Sequence, residues 1–355
     1  MRIALLHPTY WPEVRRGSER LAHDLAAALA RRGHEVTLLS THPGPREVER
    51  ADGFEVVRAR RAPRLPGMHW YDEYAGAIPA TVSGIVRGRY EVVHALYPVD
   101  GWSARLARNL GGPRYALSIH GVVNREYLVR RRHRLELLRA AAAGAIAVSA
   151  LSDAAAEPLR RYALADPVIV PGGVVPAHYV GERERPRVPT LLCPASLDDP
   201  RKRGALLAAA FTSVRERDGA ARLVLAGDPG GLAGPGIERA DPTTTADLAA
   251  AYRAASATVL PSDDEAFGLV LVESLAAGTP VVAARSGGCP EIVDDPAIGC
   301  LFEPGDAGDL ARAIGEAVAL ADDPATVERC RAHARRWDWD VVVERYEALY
   351  ADALG

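Results

Sequence analysis

The sequence predicts an α/β protein with two doubly wound domains, each a parallel β-sheet covered by helices on both faces. Short apolar segments alternate with helix-period segments along the chain of 355 residues, and this alternation is typical of parallel sheets. A charged, proline-bearing segment without periodicity, residues 181–189, interrupts the alternation and predicts a linker. The net charge is +8 over residues 1–180 and −11 over residues 181–355, which also indicates two separate domains.

In the first half, RIALL predicts the opening strand. The amphipathic segment after it predicts a helix with an N-cap at Ser18 and an end at Gly33. The segment LSDAAAEPLRRY predicts a later helix, in which Pro158 must occupy the first turn or cause a kink. The other strands are predicted at HEVTLLS, FEVVRAR, YEVVHAL, RYALSIH, AIAVS and PVIVP.

After the linker the alternation restarts. Strands are predicted at TLLCPAS, ARLVLAGD, ATVLPS and TPVVAAR. Helices are predicted at RGALLAAAFTSVRER, TADLAAAYRAA, LVLVESLAAG, CPEIVDD, AGDLARAIGEAVALA and DVVVERYEALYADAL. Ligands of such sheets bind beyond the carboxyl ends of the strands. We therefore expect two domains, residues 1–180 and 187–336, with a cleft between facing strand ends.

The composition narrows the class of protein. Apolar residues make up 48% and charged residues 25% of the chain, which are ordinary values for a soluble globular protein. The four cysteines show neither paired nor zinc-binding spacing, as expected of a reducing cytoplasm. No apolar run approaches the ~20 residues that span a bilayer, and the opening apolar segment is too short for a signal peptide. The net charge of −3 argues against nucleic-acid binding, although 42 of the 43 basic residues are arginine and Lys202 is the one lysine.

The stretch SDDEAFGLVLVES contains two glutamates, Glu265 and Glu273, around an almost wholly apolar run. Glu265 follows a predicted strand, Gly268 allows close backbone approach, and a helix then runs to Gly278. The free amides at the start of that helix suit a phosphate. Two plainer interpretations remain open, a solvated acidic turn at Glu265 and an exposed helix face at Glu273.

These motifs resemble those of glycosyltransferase family 4, a retaining family with the GT-B fold of two Rossmann-like domains. The family pattern E-x-F-G-L-x-x-x-E-(A/S)-x-A-x-G-x-P-V-V is met from Glu265 to Val282, and GG-x-P-E-I-V follows at the family's spacing. GSERLAHDLAAALARRGHEVTLLST resembles the family's first helix and second strand, and LSIHG its histidine-bearing strand. RRWDWDVVVERYEALY resembles its closing helix, so that residues 337–355 would cross back to the first domain, the acceptor side.

The resemblance implies a role for each motif residue. Glu273 would accept hydrogen bonds from the ribose hydroxyls of the nucleotide, a charge-assisted pairing, and Glu265 from hydroxyls of the transferred sugar. The amides of Gly268 and Leu269 would hold the diphosphate. His120 would approach the sugar and phosphate from the opposing domain, whereas a lone histidine is more often a packed core residue.

Lys202 falls where the family places a cation on the diphosphate, on which negative charge grows as the bond breaks. Ser196 stands where the family has an arginine, so Arg201 or Arg203 would supply that charge. In the first loop Arg16-Gly17 replaces the usual Gly-Gly. The resemblance thus implies His120, Lys202 and Glu265 as catalytic residues and a donor-binding set of Gly17, Ser196, Arg201, Lys202, Arg203, Glu265, Phe267, Gly268, Leu269 and Glu273.

We therefore expect a retaining glycosyltransferase that needs neither metal nor cofactor. The donor would be a UDP-, GDP- or dTDP-linked sugar, and the acceptor a small molecule, a glycan or a lipid-linked compound in bacterial natural-product or glycan biosynthesis. The basic stretch 125–139 would either contact a membrane surface or form a solvated helix face.

Three rival functions remain. The first is a nucleotide-sugar epimerase of GT-B architecture, and the second is a non-catalytic sugar-nucleotide-binding protein. The third is a glycoside hydrolase that uses the two glutamates as an acid–base pair. A hydrolase would leave the phosphate-binding amides at the helix start, and Lys202, without a role. A dehydrogenase is disfavoured because no G-x-G-x-x-G follows the first strand.

Overall fold

The computed structural model describes residues 1–14, 17–63, 73–129, 133–183 and 186–354, with residues 352–354 as backbone alone. Arg16 and part of the basic stretch 125–139 lie outside the described residues. The chain divides into two compact units. The first consists of Met1–Gly173 and Trp339–Gly355, and the second of Val174–Asp338.

The first unit is built on an eight-stranded sheet with the spatial order β3-β4-β2-β1-β5-β6-β7-β8. Its strands are β1 (Arg2–Leu6), β2 (Glu35–His42), β3 (Glu47–Ala51), β4 (Phe54–Arg60), β5 (Val92–Ala95), β6 (Arg114–Ile119), β7 (Val148–Ala150) and β8 (Val168–Ile169). Neighbouring strands are parallel except the edge pair β3–β4, which is antiparallel. The helices of this part of the chain are α1 (Gly17–Arg31), α2 (Ile78–Arg87), α3 (Pro98–Asn109), α4 (Arg125–Val129), α5 (Arg134–Ala143) and α6 (Asp153–Arg161).

The second unit is built on a six-stranded, wholly parallel sheet with the order β11-β10-β9-β12-β13-β14. Its strands are β9 (Thr190–Cys193), β10 (Arg222–Leu225), β11 (Ile237–Arg239), β12 (Ala257–Leu260), β13 (Val281–Ala284) and β14 (Gly299–Phe302). Its helices are α7 (Gly204–Arg217), α8 (Thr245–Arg253), α9 (Leu269–Ala277), α10 (Cys289–Ile292), α11 (Ala307–Leu320) and α12 (Pro324–Ala334). The central strands β9, β12 and β13 are buried along their whole length, because helices cover both faces of a parallel sheet.

The last helix, α13 (Trp339–Leu354), packs in the first unit. Trp339 is fully buried there, and a Cβ at Gly173 would lie only 2.5 Å from its indole. His94 on β5 is hydrogen-bonded to the hydroxyl of Tyr350 and to that of Ser118, each at a distance of 2.7 Å. Burial lowers the pKa of His94 to about 3, so the ring is neutral and its one donor and one acceptor are both satisfied.

The predicted fold class is confirmed, since both units are doubly wound α/β structures. The edge strand β3 was missed because three of its five residues are charged and the strand is mostly exposed, so it lacks the apolar pattern that marks a strand. The prediction of Ser18 as the N-cap is wrong, because α1 begins at Gly17 and Ser18 therefore lies inside the helix. Pro158 lies in the second turn of α6 rather than the first. Among the described residues no helix combines the length and the apolar character that a membrane span requires.

We expect Tyr350→Phe to lower the melting temperature, because it leaves a buried ring nitrogen of His94 without its partner, a loss of about 1–3 kcal/mol. Tyr346→Phe is the matched control on the same helix. The hydroxyl of Tyr346 is buried and has no hydrogen-bond partner among the described residues, so its removal should leave stability unchanged or raise it. Thermal unfolding of both variants checks this, and equal losses in the two would contradict the assignment.

Candidate active site

Two loops of the second unit meet where the order of its sheet reverses. The chain runs from β9 outward to β10 and β11, then returns to place β12 on the other side of β9. In sheets of this kind the crevice beyond the carboxyl ends of the two strands is the usual ligand site. The loop after β9 contains Lys202, and the loop after β12 contains Glu265. The topology alone therefore places these two side chains near each other.

Lys202 and Glu265 form an ion pair, in which the ammonium Nζ donates to Glu265 Oε2 at a distance of 2.7 Å. The two side chains are 24% and 22% exposed. The pair is thus partly shielded from water but open to a ligand, and its charges interact more strongly than those of a fully solvated pair.

The two arginines that flank Lys202 have carboxylate partners of their own. Arg201 donates to Asp199 through both Nε and Nη2, and this contact holds the pKa of Asp199 below its ordinary value. Arg203 donates from Nε to Asp263 over 2.6 Å. The three neighbouring cations therefore differ in their partners, and only Lys202 pairs with a glutamate of the E-x-F-G-L motif.

A third loop supports the backbone of Glu265. Its carbonyl accepts a hydrogen bond of 2.8 Å from the amide of Gly288, in the loop after β13. The neighbouring Gly287 has a φ of +58°, and a Cβ there would overlap the carbonyl oxygen of Glu265 and lie 2.7 Å from its nitrogen. Ser286 in turn accepts the amide of Asp264 over 3.1 Å. Only glycine at position 287 permits this approach, which fixes the position of the Glu265 backbone.

The motif helix α9 is capped at both ends by glycines in the left-handed region, Gly268 with φ +103° and Gly278 with φ +86°. Leu271 donates its amide to the carbonyl of Gly268. The preceding amides, those of Gly268 and Leu269, have no acceptor among the described residues. As at any helix start, such amides suit an anion.

Glu273 lies in the second turn of α9 and is only 2% exposed. The hydroxyl of Tyr252, a fully buried residue of α8, donates to its Oε2 over 2.8 Å. Tyr252 is held in turn by Thr279, whose hydroxyl donates to the Tyr252 carbonyl. This contact orients the carboxylate of Glu273. No local sequence signal pointed to Tyr252, because its position fits the apolar pattern of α8.

Two other predicted donor-binding residues have contacts within the second unit. Ser196 is exposed, and its hydroxyl accepts the amide of Asp228 at the long distance of 3.4 Å. The ring of Phe267 is 4% exposed and packs edge-on against Trp337. The side chain of Phe267 thus belongs to the core, and its donor-binding role stays a prediction.

The cysteines beside the site are not activated nucleophiles. Burial raises the pKa of Cys193 to about 11. Burial and the charge of Glu265 together raise the pKa of Cys289 well above its ordinary value. Both thiols are therefore protonated near neutral pH. Among the described residues no three His, Cys, Asp or Glu side chains are arranged to hold a metal ion.

In the first unit, His120 directly follows β6 and His7 directly follows β1. Both ring nitrogens of His120 are buried and have no partner among the described residues. Burial and the nearby His7 and His94 lower its pKa to about 3. His7 Nδ1 is 2.6 Å from the carbonyl of Thr9, so it must be the donor and Nε2 the acceptor. The predicted residue Gly17 is exposed at the start of α1.

The chemistry of the second-unit site follows from these groups. A lysine ammonium and the free amides of a helix start both favour an anion. Two carboxylates nearby can only accept hydrogen bonds when ionised, so they favour hydroxyl groups. The site is therefore suited to a ligand that carries both phosphate and hydroxyl groups.

Comparison with known proteins identifies the family to which the chain is similar. The family model described as Glycosyltransferase Family 4 matches residues 15–178, and that described as Glycosyl transferases group 1 matches residues 188–319. A D-inositol 3-phosphate glycosyltransferase of Actinosynnema mirum is 31% identical over 92% of this chain and 90% of its own length.

Solved structures resemble the chain along its whole length. A sucrose-phosphate synthase of Thermosynechococcus elongatus superposes with a TM-score of 0.83 at 22% identity, over 99% of this chain and 98% of its own. The Anabaena protein HepE, solved in complex with UDP-glucose, superposes with a TM-score of 0.77 at 16% identity, over 99% and 100% of the two chains. At these identities the structures establish the shared fold.

We expect Gly287→Ala to destabilise the protein more than Gly305→Ala does. Both glycines have positive φ, +58° and +83°, so each substitution carries a backbone cost of about 1–2 kcal/mol. Nothing lies within 4 Å of a Cβ at Gly305, whereas one at Gly287 overlaps the backbone of Glu265. Thermal unfolding should show at least twice the loss for Gly287→Ala, and equal losses would contradict the close approach.

Proposed function

The chain belongs to the family 4 glycosyltransferases, and from that premise we propose that it transfers a sugar from a nucleoside-diphosphate sugar to an acceptor hydroxyl with retention of anomeric configuration. The observation that carries the proposal is the Lys202–Glu265 pair, 2.7 Å long, in the crevice where the sheet order reverses. It joins a cation for a leaving diphosphate to a carboxylate for sugar hydroxyls.

The nucleotide end of the donor is assigned to Glu273. The hydroxyl of Tyr252 donates a hydrogen bond to Glu273 Oε2. This bond orients the carboxylate and so sets the direction in which it accepts further hydrogen bonds. Ribose hydroxyls are suitable donors to such a buried group, because a charge-assisted hydrogen bond gains strength where water is excluded.

The diphosphate is assigned to Lys202 together with the amides of Gly268 and Leu269. Arg201 and Arg203 are secondary, since Arg201 is already paired with Asp199 of its own loop and Arg203 with Asp263 of the loop after β12. Lys202 also has a partner, but that partner is Glu265, which gains sugar hydroxyls when the donor binds. An exchange of partners at Lys202 therefore leaves neither charge without compensation.

The proposed reaction breaks the bond between the anomeric carbon and the diphosphate oxygen and forms a bond from that carbon to the acceptor oxygen on the same face. The acceptor proton passes to the departing diphosphate, so no protein nucleophile or base is required. Negative charge grows on the leaving group, and the fixed ammonium of Lys202 stabilises it. We propose that this cation makes a metal ion unnecessary. A role for His120 at the donor stays a prediction.

The donor and the acceptor are proposed by class. The similarity to a D-inositol 3-phosphate glycosyltransferase suggests a small hydroxylated acceptor, with inositol 3-phosphate as the first compound to test. The HepE complex makes UDP-glucose the first donor. An epimerase of the same fold would convert the donor without any acceptor, and a non-catalytic binding protein would leave it intact.

The direct test is a thermal-shift screen of UDP-, GDP-, ADP- and dTDP-sugars, followed by transfer assays with and without EDTA. We expect one donor class to stabilise the protein, acceptor-dependent release of the nucleoside diphosphate, and unchanged turnover in EDTA. NMR of the product should show the anomeric configuration of the donor. Conversion of the donor without acceptor, or inversion in the product, would contradict the proposal.

We expect Lys202→Ala to lower kcat about 10²-fold or more with little change in melting temperature, because the leaving diphosphate loses its fixed cation. Arg203→Ala is the matched control, since it removes a neighbouring cation whose partner is Asp263. Steady-state kinetics of both variants check the assignment. Near-normal turnover in Lys202→Ala, with a large loss in Arg203→Ala, would move the role to the arginine.

We expect Glu273→Gln to weaken binding of the free nucleotide and of the nucleotide sugar alike, because both contain the ribose. Tyr252→Phe should weaken both about tenfold, since it removes only the hydroxyl that orients Glu273. Calorimetric titration measures these affinities, with Tyr346→Phe as a control in the other unit. Unchanged nucleotide affinity in Glu273→Gln would refute the ribose contact.

A further inference from the structure

We propose that Glu265 also discriminates the nucleotide sugar from the free nucleoside diphosphate, because its carboxylate and the diphosphate compete for one ammonium, that of Lys202. This inference rests on the proposed function and extends it to product release. When no sugar occupies the site, Glu265 holds Lys202 and disfavours the bare nucleotide.

Glu265 cannot move away from Lys202 at low cost. Its backbone is held by the amide of Gly288 and packed against Gly287. On the other side, the amide of Asp263 donates to the carbonyl of Arg201 over 2.9 Å, which ties the loop after β12 to the segment that carries Lys202. Carboxylate and ammonium are therefore held together by backbone contacts as well as by their charges.

The nucleotide sugar and the free nucleoside diphosphate differ in the groups that they offer to the Lys202–Glu265 pair. A nucleotide sugar brings a diphosphate for Lys202 and sugar hydroxyls for Glu265, so both members of the pair exchange one partner for another. A nucleoside diphosphate brings only the phosphates. The carboxylate of Glu265 then lies beside the diphosphate without a hydrogen-bond donor to replace the ammonium, and neighbouring groups of like charge repel each other.

The same competition for Lys202 affects product release during turnover. Once the sugar has been transferred, the hydroxyls that Glu265 accepted leave with the product. The carboxylate then recovers Lys202 at the expense of the diphosphate. Glu265 therefore favours release of the nucleoside diphosphate and limits product inhibition, in addition to its contact with the donor sugar.

The chain offers a matched control in Asp264, the residue before Glu265. Asp264 is exposed and lies in the left-handed region with φ +50°, which asparagine adopts readily. Asp264→Asn therefore removes the same unit of negative charge from the same loop without touching Lys202. It separates competition for the ammonium from a general change in the electrostatic potential of the site.

The experiment is calorimetric titration of wild type, Glu265→Gln, Glu265→Ala and Asp264→Asn with UDP, GDP, ADP and dTDP and with their glucose conjugates. Melting temperatures establish that each variant is folded. For the nucleotide that wild type binds, we expect both Glu265 variants to bind the free diphosphate about threefold to tenfold more tightly. They should bind the sugar conjugate more weakly, whereas Asp264→Asn should change neither affinity by more than about twofold.

Unchanged or weaker binding of the free diphosphate in the Glu265 variants would overturn the inference and leave the proposed function intact. Equal tightening in Asp264→Asn would also overturn it, because the effect would then be one of overall charge. If wild type binds none of these nucleotides or conjugates, the proposed function fails and the inference fails with it.

Discussion

The position of β12 between β9 and β13 is the constraint on which the candidate site depends. In a parallel sheet the carboxyl ends of neighbouring strands lie at one edge, so the loop after β12 has the loop after β9 on one side and the loop after β13 on the other. The first supplies Lys202 for the side chain of Glu265, and the second supplies the Gly288 amide for its carbonyl. The glutamate is thus fixed at its backbone and paired at its carboxylate.

Charge balance follows from the same arrangement. Each of the cations at 201–203 has a carboxylate partner, and the partner of Lys202 is the glutamate assigned to the sugar. Because none of these three cations is free, a ligand that binds one of them must exchange partners with an existing pair. That requirement favours a ligand with hydroxyls and phosphates together over one with phosphates alone. The exchange of partners at the Lys202–Glu265 pair would therefore govern both the binding of such a ligand and its selection over a ligand with phosphates alone.

Much of the fold and the motif could be predicted from the sequence, because strand–helix alternation and glycine positions are local signals. The placement of Glu265 after a strand and of Gly268 at a helix start came from such signals. The edge strand β3 has two apolar residues, Val48 and Ala51, which do not alternate regularly with polar ones, so no local pattern marked it. Tyr252 and His7 were missed for another reason, since their contacts with Glu273 and with Thr9 appear only once the chain is folded. Likewise, the sequence could name the three cations at 201–203 but not their partners.

In the proposed function, Lys202 exchanges its partner Glu265 for the diphosphate when the donor sugar is present. A crystal structure of the protein with its intact nucleotide-sugar donor tests this most directly. We expect Lys202 Nζ within hydrogen-bond distance of a phosphate oxygen, with Glu265 hydrogen-bonded to sugar hydroxyls and Glu273 to the ribose. A bound donor with the Lys202–Glu265 pair still closed and no sugar hydroxyl on Glu265 would contradict it.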